Sequence, residues 1–409
     1  ENADFARAVE AAGLVWVGPP AAAIDEMGDK IRSRAKMSRA GVPVVPGSSP
    51  SARTDEELSA EAARVGFPLL VKASAGGGGK GMSRVDRPED LPAALAEARR
   101  LAASAFRDDT VYLEKLLERP HHIEFQIFGD EAGHVMHLFE RECSAQRRHQ
   151  KIVEETPSPA LEPALRSRMA EAAVEAGRAV GYVGAGTVEL LLDEKRNFYF
   201  LEMNTRLQVE HPITEATLGI DLVRAQIEVA AGGRLPDGWA RLLPRGHAIE
   251  LRLYAEDPVE FLPRSGEILD YAEPSGPGVR VDSGIARGSR VGLEFDPLLA
   301  KLVVYGPDRK AAIERGRRAL EDWVVLGVET NRPLLQAVLQ SEDFLAGRYT
   351  TDLVTRLPGP VFPDPPAAAW IAAARLLQAP AAPGAWRASG GPALPDDPWS
   401  GPTGWRVGA

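Results

Sequence analysis

The stretch FLEMNTRLQVEHP, residues 200–212, predicts a β-strand with one unusual face. In an extended strand, alternate side chains lie on the same face. One face would then carry five polar side chains: Glu202, Asn204, Arg206, Gln208 and Glu210. Asn and Glu are uncommon in strands, so the row indicates a binding or catalytic site. The alternative is an ordinary solvated sheet face.

The preceding segment, AGTVELLLD, is predicted to pair with this strand in a hairpin. If EKRN (194–197) is a four-residue loop, Asp193 lies opposite Phe198 and Glu189 lies opposite Glu202. Like charges in this arrangement destabilise a sheet. Magnesium between the two carboxylates would remove the conflict and could share its other positions with phosphates. The opposite faces are apolar, so we expect the acidic face to be open; the alternative is that both glutamates are merely solvated.

A glycine-rich segment, SAGGGGKGM (74–82), lies between two predicted strands, PLLVKAS and MSRV. It is not a Walker loop, because Gly81 follows Lys80 where Ser or Thr is needed. It is not a dinucleotide fingerprint either, since a strand follows it instead of a helix. Such a loop can still fold its N–H groups over phosphates, and Lys72 on the entering strand could reach them. The alternatives are a flexible surface turn and a solvated lysine.

A second polar cluster is ECSAQRRHQK (142–151), in which Gln146, His149 and Lys151 lie close together. This combination suits sugars and anions, although a basic surface loop has the same composition. Cys143 is predicted to be a small buried residue and not a nucleophile, because no His/Asp partner pattern surrounds it.

The whole chain has 409 residues, a net charge of −10 and one cysteine. This length predicts two to four domains, and the negative charge argues against general nucleic-acid binding. One cysteine excludes an internal disulfide and suits a reducing compartment. No apolar run reaches the roughly 18 residues of a membrane helix.

The order of elements predicts four regions. Residues 1–43 alternate helix and strand in a β-α-β pattern, with LVWVG (14–18) as a short buried strand. Residues 44–116 form a small unit around the glycine loop, and residues 117–357 form the largest block. Residues 358–409, rich in Pro, Ala and Gly, are predicted to be a linker and the start of a following domain.

Together these motifs resemble an ATP-grasp ligase, and more narrowly the biotin carboxylase component of biotin-dependent carboxylases. The resemblance covers nearly all of residues 1–357, and EMNTRLQVEH with SAQRRHQK is its most specific part. It implies an α/β (α+β) ATP-grasp fold. Residues 44–116 would be the glycine-loop lid, residues 1–43 the remnant of a Rossmann-like N-terminal domain, and 117–357 would hold the ATP-grasp core and the C-terminal biotin carboxylase domain.

Two departures from the family pattern are visible. The family has a further strand-and-helix segment ahead of ENADFA, so we expect an N-terminally truncated fragment that lacks part of the ATP-site wall and of a dimer contact. The sequence also stops before any biotinyl AMKM site. Its tail, DPWS…GWR, is similar to acyl-CoA carboxylase α subunits, especially those of methylcrotonyl-CoA carboxylases.

The resemblance also implies a role for individual residues. Those implied in ATP binding are Lys30, Lys72, Gly77, Gly78, Gly79, Glu114, Lys115, Leu117, His122, Gln146 and His149. Those implied in magnesium binding are Glu189, Glu202 and Asn204. Those implied in bicarbonate binding are Lys151, Arg206, Gln208, Val209 and Glu210. The implied catalytic residues are Glu210, Arg252, Lys151 and Arg206, of which Arg252 also binds biotin.

The implied reaction is the ATP-dependent carboxylation of biotin by bicarbonate through carboxyphosphate. The implied cofactors are ATP, Mg²⁺ (or Mn²⁺) and biotin carried on a separate domain. The expected partners are a biotin carboxyl carrier domain, a carboxyltransferase subunit and further copies of the chain in a homo-oligomer, with no nucleic acid and no membrane. The expected compartment is the bacterial cytoplasm, or the mitochondrial matrix in a eukaryote.

Two other functions stay open from the residues. One is a different ATP-grasp ligase, such as a carbamoyl-phosphate synthase or a purine-pathway carboxylase. RLQVEHP, RRHQK and Arg252 together favour biotin over these. The other is a non-catalytic nucleotide-binding fragment, against which the retention of Lys72, Glu189, Glu210 and Arg252 argues.

Overall fold

The computed structural model describes residues 1–74, 82–359, 367–368 and 370–371. Residues 358–409, predicted to be a linker and a further domain, lie largely outside this part. The chain opens with three helices: α1 (Ala3–Ala11), α2 (Ala21–Gly28) and α3 (Lys30–Arg39). The Asn2 side chain accepts from the Phe5 N–H at the start of α1, and Gly13 takes a left-handed φ of 74° just after its end.

The β-α-β prediction for residues 1–43 is wrong. All of these residues are described, and none lies in a strand. The segment LVWVG is irregular, and Leu14 and Val15 are exposed by 65% and 68%. An extended segment becomes a strand only when another strand satisfies its backbone N–H and C=O groups, and no described strand pairs with this one.

The next segment builds a small layer of its own. Its helices and strands are α4 (Asp55–Val65), β1 (Leu69–Ala73), β2 (Met82–Val85), α5 (Leu91–Phe106) and β3 (Val111–Lys115). The three strands form an antiparallel sheet in the order β2-β1-β3, with an apolar cluster that includes Leu58, Val71 and Leu95. The predicted strands on both sides of the glycine loop are confirmed, and the loop itself, residues 75–81, lies outside the described residues.

Most remaining strands join one large sheet, and most helices pack on it. The strands are β4 (His121–Gly129), β5 (Val135–Arg147), β6 (Gln150–Thr156), β7 (Gly184–Leu192), β8 (Phe198–Asn204), β9 (His247–Tyr254), β10 (Gly266–Glu267), β11 (Asp270–Ala272), β12 (Val279–Ser283), β13 (Arg290–Val291), β14 (Leu298–Gly306) and β15 (Val324–Leu326). The helices are α6 (Pro163–Ala179), α7 (His211–Leu218), α8 (Leu222–Ala230), α9 (Arg309–Asp322), α10 (Arg332–Gln340), α11 (Glu342–Leu345) and α12 (Leu353–Arg356). No described helix is long and apolar enough to cross a membrane.

The large sheet has eight strands in the order β12-β14-β9-β6-β5-β4-β7-β8, and every neighbouring pair is antiparallel. Two apolar clusters hold it. One lies between β6, β9, β14 and the helices α9 and α10, and the other between α6 and the strands β4, β7 and β8. Polar residues along β4 to β9 are therefore held on a rigid frame.

The predicted facing of Glu189 and Glu202 is confirmed, but the predicted loop register is wrong by one residue. Phe198 pairs with Leu192, not with Asp193. A bulge at Leu201 inserts one extra residue into β8 and brings Glu202 opposite Glu189. The predicted continuous strand through residue 212 is also wrong, because β8 ends at Asn204 and α7 begins at His211.

A buried carboxylate ties four parts of the C-terminal half together. Glu155 on β6 is fully buried and accepts hydrogen bonds from His247, Arg309 and Tyr349, at 2.6 to 2.9 Å. Burial alone would raise its pKa, but the bonds from His247 and Arg309 outweigh burial and lower the pKa to about 2. We infer that Glu155 stabilises the fold as an anion.

We expect Glu155→Gln to lower the free energy of unfolding by about 3 kcal/mol at neutral pH. Because the Glu155 pKa is lowered in the fold, its stabilisation is complete above the ordinary value of 4.5 and is lost as the pH falls towards 2. Urea-unfolding midpoints of parent and variant should therefore converge across this window. Glu314→Gln, at an exposed position on α9, is the control. A difference between the two urea-unfolding midpoints that stays constant with pH would contradict the role of Glu155 as a stabilising anion.

Candidate active site

Three carboxylates from neighbouring strands lie in one register row across the large sheet. Glu124 on β4 pairs with Glu189 on β7, and Glu189 pairs with Glu202 on β8. On the other side of Glu124, the row continues to Arg141 on β5. Glu124 and Glu189 are buried, so the acidic face is covered and the expectation of an open face is wrong. Adjacent buried anions need cations between them.

Lys151 supplies the central positive charge. Its Nζ donates to Glu124 at 2.5 Å, to Glu189 at 2.7 Å and to Glu210 at 2.9 Å. Burial opposes the charge of this ammonium, but the three carboxylates outweigh burial and hold its pKa well above the ordinary value. Arg141, also fully buried, donates to the second oxygen of Glu124 at 2.5 Å. Lys151 is thus a fixed cation at neutral pH.

Glu210 lies where the chain turns from β8 into α7, as the residue that precedes the first helical turn. Pro212 follows inside the first turn, where its missing N–H costs no helical bond. One Glu210 oxygen accepts from Lys151, and the other accepts from Arg252 on β9 at 2.8 Å. Burial would raise the Glu210 pKa, but Lys151, Arg252 and Arg141 hold it well below 4.5. Glu210 is therefore an anion with two cationic partners.

The pair Glu189 and Glu202 has the chemistry of a divalent-cation site. Glu189 is held by Lys151, by Asn204 Nδ2 at 2.8 Å, and by His122 Nε2, 2.8 Å from its other oxygen. Glu202, in contrast, makes no hydrogen bond or ion pair with any residue that the structure describes. Burial and the neighbouring Glu189 raise its pKa. Oxygen donors from Glu189, Glu202 and Asn204 fit a magnesium ion, which would relieve this repulsion.

A second set of charges lies on the three-stranded sheet. The Lys72 Nζ donates to Glu114 on the neighbouring strand at 2.6 Å, and Arg34 donates to the other Glu114 oxygen at 2.5 Å. Lys72 is buried, so its alternative as a solvated strand lysine is wrong. Burial opposes its charge, but Glu114 outweighs burial and raises its pKa. Lys30 at the start of α3 has a lowered pKa because of burial, partly offset by Glu202.

The remaining residues that are predicted to bind ATP have different surroundings. Gln146 is buried, and its Nε2 lies 2.5 Å from His122 Nδ1. His149 is exposed at the tip of the β5–β6 turn. The Lys115 Nζ donates to the Phe67 carbonyl at 2.8 Å, and Leu117 follows β3 half-buried. Gly77, Gly78 and Gly79 lie outside the described residues.

The predicted bicarbonate residues form two groups. Lys151 and Glu210 are joined directly, while Arg206 donates to Gln208 Oε1 at 2.8 Å and to Glu1 at 2.9 Å. Arg206 is half exposed, and Gln208 is buried. The carbonyl of Val209 accepts from Lys301 at 2.5 Å. Arg206, Gln208, Val209 and Glu210 lie on the loop between β8 and α7, whereas Lys151 lies on β6. The roles of these residues stay predictions.

Sequence reasoning missed four charged residues that the structure places around Lys151 and Arg252. They are Glu124, Arg141, Glu154 and Lys301. A signal for Glu124 was present, because His122, Glu124 and Gln126 alternate along β4 as Glu202 and Asn204 do along β8. Arg141 lies opposite Glu124 in the β4–β5 hairpin, so its position also followed from near neighbours. Glu154 and Lys301 could not be found this way, since Arg252, which both of them face, comes from a strand distant in sequence.

Comparisons with known proteins show the family to which this chain belongs. Residues 29–237 match the family described as carbamoyl-phosphate synthase L chain, ATP binding domain, and residues 250–356 match the biotin carboxylase C-terminal domain. The biotin carboxylase of Halalkalibacterium halodurans is 49% identical over 355 residues, covering 87% of this chain and 78% of the relative. The chain belongs to the biotin carboxylase family.

Other relatives extend the comparison. The α subunit of rat mitochondrial methylcrotonoyl-CoA carboxylase is 44% identical over 87% of this chain and 50% of the relative. The crystal structure of the Campylobacter jejuni biotin carboxylase in a β,γ-ATP complex has a TM-score of 0.84 at 40% identity, with 87% and 79% coverage. The biotin carboxylase domain dimer of Hydrogenobacter thermophilus 2-oxoglutarate carboxylase, with MgADP, ADP and bicarbonate, also has a TM-score of 0.84, at 44% identity with 87% and 78% coverage.

Membership of the biotin carboxylase family confirms several predictions. The fold is of the ATP-grasp type, and the enzyme class is an ATP-dependent ligase that carboxylates biotin, with ATP, magnesium and biotin as its cofactors. The family works with bicarbonate, a biotin carrier and a carboxyltransferase. The match to the carbamoyl-phosphate synthase family covers the ATP-binding half only, and the match over residues 250–356 sets biotin carboxylases apart.

We expect Glu202→Gln to stabilise the metal-free protein by about 1 kcal/mol, because it removes one of two facing like charges. The melting temperature in EDTA should rise by about 2 °C. The additional increase in melting temperature that MgADP causes should be smaller in the variant than in the parent. The reason is that a ligand that binds only the folded state stabilises it more, the tighter it binds.

Glu194→Gln, an exposed change in the same hairpin, should alter neither quantity. A lower melting temperature in EDTA together with a full response to MgADP would show that Glu202 is not a metal ligand.

Proposed function

We propose that this chain carboxylates biotin with Glu210 as general base and Lys151, Arg206 and Arg252 as the cations that hold anionic reactants. The observation that carries the proposal is the arrangement of Glu210, whose two oxygens accept from Lys151 and Arg252 on two different strands. A carboxylate fixed in this way has one orientation towards an incoming anion. The fixed cations lie where negative charge develops.

The low pKa of Glu210 in the free protein fits a base that is activated by its substrate. A general base works best with a pKa near the working pH, and Lys151 and Arg252 hold this pKa far below it. Bicarbonate bound beside Lys151 would compete with Glu210 for the positive charge of Lys151. The Glu210 pKa would then rise, so proton transfer becomes favourable only with bicarbonate in place.

The proposed reaction is the one that the family resemblance implies. Glu210 takes the bicarbonate proton, and a bicarbonate oxygen attacks the γ-phosphorus of ATP to give carboxyphosphate and ADP. Carboxyphosphate then breaks into CO2 and phosphate, and the phosphate takes the N1′ proton of biotin. Arg252 would stabilise the resulting ureido oxyanion, and the deprotonated N1′ of biotin then bonds to CO2. Magnesium held by Glu189, Glu202 and Asn204 would neutralise phosphate charge in the first step.

We propose that ATP phosphates replace Glu114 as the partner of Lys72 in the buried ion pair on the three-stranded sheet. Lys72 now pairs with Glu114, and separating a buried ion pair is costly unless a new partner replaces the old one. Phosphate oxygens can replace the Glu114 carboxylate for Lys72, while Glu114 keeps Arg34. The predicted ATP contacts of Lys30, His122, Gln146 and His149 belong to the same proposal.

The finer partner predictions are proposals too. We propose that biotin arrives on a separate carrier domain, that a carboxyltransferase subunit uses the product, and that the full protein is a homo-oligomer. Relatives named for methylcrotonoyl-CoA and for pyruvate match at 44% and 48% identity, so the biotin half-reaction is the common step. The proposed compartment is the bacterial cytoplasm or the mitochondrial matrix, and the buried Cys143 thiol suits reducing conditions.

We expect Glu210→Gln to lower biotin-stimulated, bicarbonate-dependent ADP release by about 10² to 10⁴-fold. A glutamine keeps the shape of the side chain but cannot accept the proton. The measurement is ADP release by the full-length protein with and without bicarbonate and free biotin.

The control for this experiment is Glu314→Gln, which should match the parent. ADP release that ignores biotin in the parent and is unchanged in Glu210→Gln would return the chain to the wider ATP-grasp group. Absence of turnover in the parent would favour a nucleotide-binding role without catalysis.

A further inference from the structure

A layer of charged residues lies under α7, next to the proposed base. On β9, Glu250 and Arg252 are two residues apart and share a face. Glu154 on β6 pairs with Glu250, and Lys301 on β14 pairs with Arg252. The helix α7 covers this face through an apolar contact of Ile213 with Ala248 and Val303. The layer is therefore largely buried, with Arg252 and Lys301 exposed by only 11% and 12%, and it adjoins Glu210 at the start of α7.

Glu154 and Glu250 face each other in this layer, and ionisation of both carboxyl groups would be unfavourable. Glu154 and Glu250 are both fully buried. None of the four carboxyl oxygens of Glu154 and Glu250 has a hydrogen-bond partner among the described residues. An unpartnered buried carboxylate is far more costly than a neutral carboxyl group, and two facing carboxyls release their second proton with difficulty. Among the described residues Glu154 has an ion-pair partner and Glu250 has none, so Glu250 is the neutral member of the pair.

Glu154 is the member that has a cation beside it. Its Oε1 lies 2.5 Å from Arg252 Nη2, and the same nitrogen donates to Glu210 Oε2 at 2.8 Å. The guanidinium thus lies between two carboxylates. The Arg252 Nε is buried and has no hydrogen-bond partner among the described residues. Nε and Nη2 lie on one edge of the guanidinium, and Nη2 holds this edge against the two carboxylates. The Arg252 side chain keeps 11% of its surface exposed.

We propose that Glu154 is a positioning residue for biotin carboxylation, which holds the Arg252 guanidinium between itself and Glu210, in the position from which it would meet the ureido oxygen of biotin. The proposal rests on the proposed function, in which Arg252 meets the developing oxyanion. Glu154 itself touches no reactant. It acts through Arg252 alone.

The balance of the two carboxylates gives the physical reason. With Glu154 ionised, Arg252 is attracted from two sides and stays between them. With Glu154 neutral, only Glu210 attracts it, so the guanidinium shifts towards Glu210. That shift withdraws Arg252 from biotin, which slows the biotin step.

Protonation of Glu154 should produce the same loss. Burial raises the pKa of Glu154 to about 7 against the opposing charge of Arg252. The charged and titratable groups that face it are Arg252, Glu210, Lys151, Glu250 and Tyr254. At constant bicarbonate, the biotin-dependent rate of the parent should therefore fall as the pH drops below about 7. The rate of Glu154→Gln should not show this decrease.

The test compares crystal structures and kinetics of the full-length parent, Glu154→Gln and Glu154→Asp. In Glu154→Gln, the Arg252 guanidinium should move towards Glu210, and kcat with free biotin should fall by about a factor of ten or more. Bicarbonate-dependent ADP release without biotin should change much less, because Lys151 and Glu210 remain. Glu154→Asp keeps the charge, so it should restore part of the rate. The decrease of the rate at low pH should also return in this variant. Glu314→Gln is the matched control.

An unmoved Arg252 in Glu154→Gln, or a biotin-dependent pH profile identical to that of the parent, would overturn the proposal. Equal loss of the ADP release measured without biotin would also overturn it, because Glu154 would then serve the whole site and not the biotin step. Failure of the proposed function looks different. In that case the parent itself shows no response to biotin, and the position of Arg252 in the two crystal structures still decides whether Glu154 holds it.

Discussion

Three carboxylates in one register row impose the main electrostatic constraint on this structure. Glu124, Glu189 and Glu202 come from adjacent strands, and the antiparallel register places each opposite the next. Such a row is unfavourable unless cations lie between its members. Lys151 and Arg141 satisfy Glu124 and Glu189, which leaves Glu202 unpaired among the described residues. The remaining negative charge is the physical basis for a divalent cation at this edge.

The same constraint explains why the site needs the whole eight-stranded sheet. Lys151 comes from β6, and Arg252 comes from β9, on the opposite side of β6 from the glutamate row. Glu210 joins the two, since it accepts from both cations while standing at the start of α7. A change in the position of any one charge would unbalance the others. Catalysis by preplaced charges requires this rigidity, because reorganisation during the reaction would cost free energy.

The charges proposed to face the nucleotide follow a different principle. Lys72 and Glu114 form an ion pair on the small sheet, so neither is an unpaired buried charge. In our proposal a nucleotide binds by exchange of partners, and selectivity for a phosphate ligand follows from the cost of separating the pair without a replacement. The unpaired Glu202 and the paired Lys72 therefore represent two ways of preparing a site for a charged ligand.

The sequence by itself determined the local features: the strands on both sides of the glycine loop, the β7–β8 hairpin, the helix caps and the family motifs. These follow from alternation, turn residues and capping, which depend on near neighbours. It predicted the facing of Glu189 and Glu202 through a loop register that was wrong by one residue, and only the bulge at Leu201 in the tertiary structure made the pair correct. Tertiary structure alone decided that LVWVG is not a strand, that β8 stops at Asn204, and that Glu154 and Lys301 belong to the site. The reason is that backbone pairing and charge balance between β4, β6, β9 and β14 depend on segments that are distant in sequence, and no local pattern records which of them become neighbours.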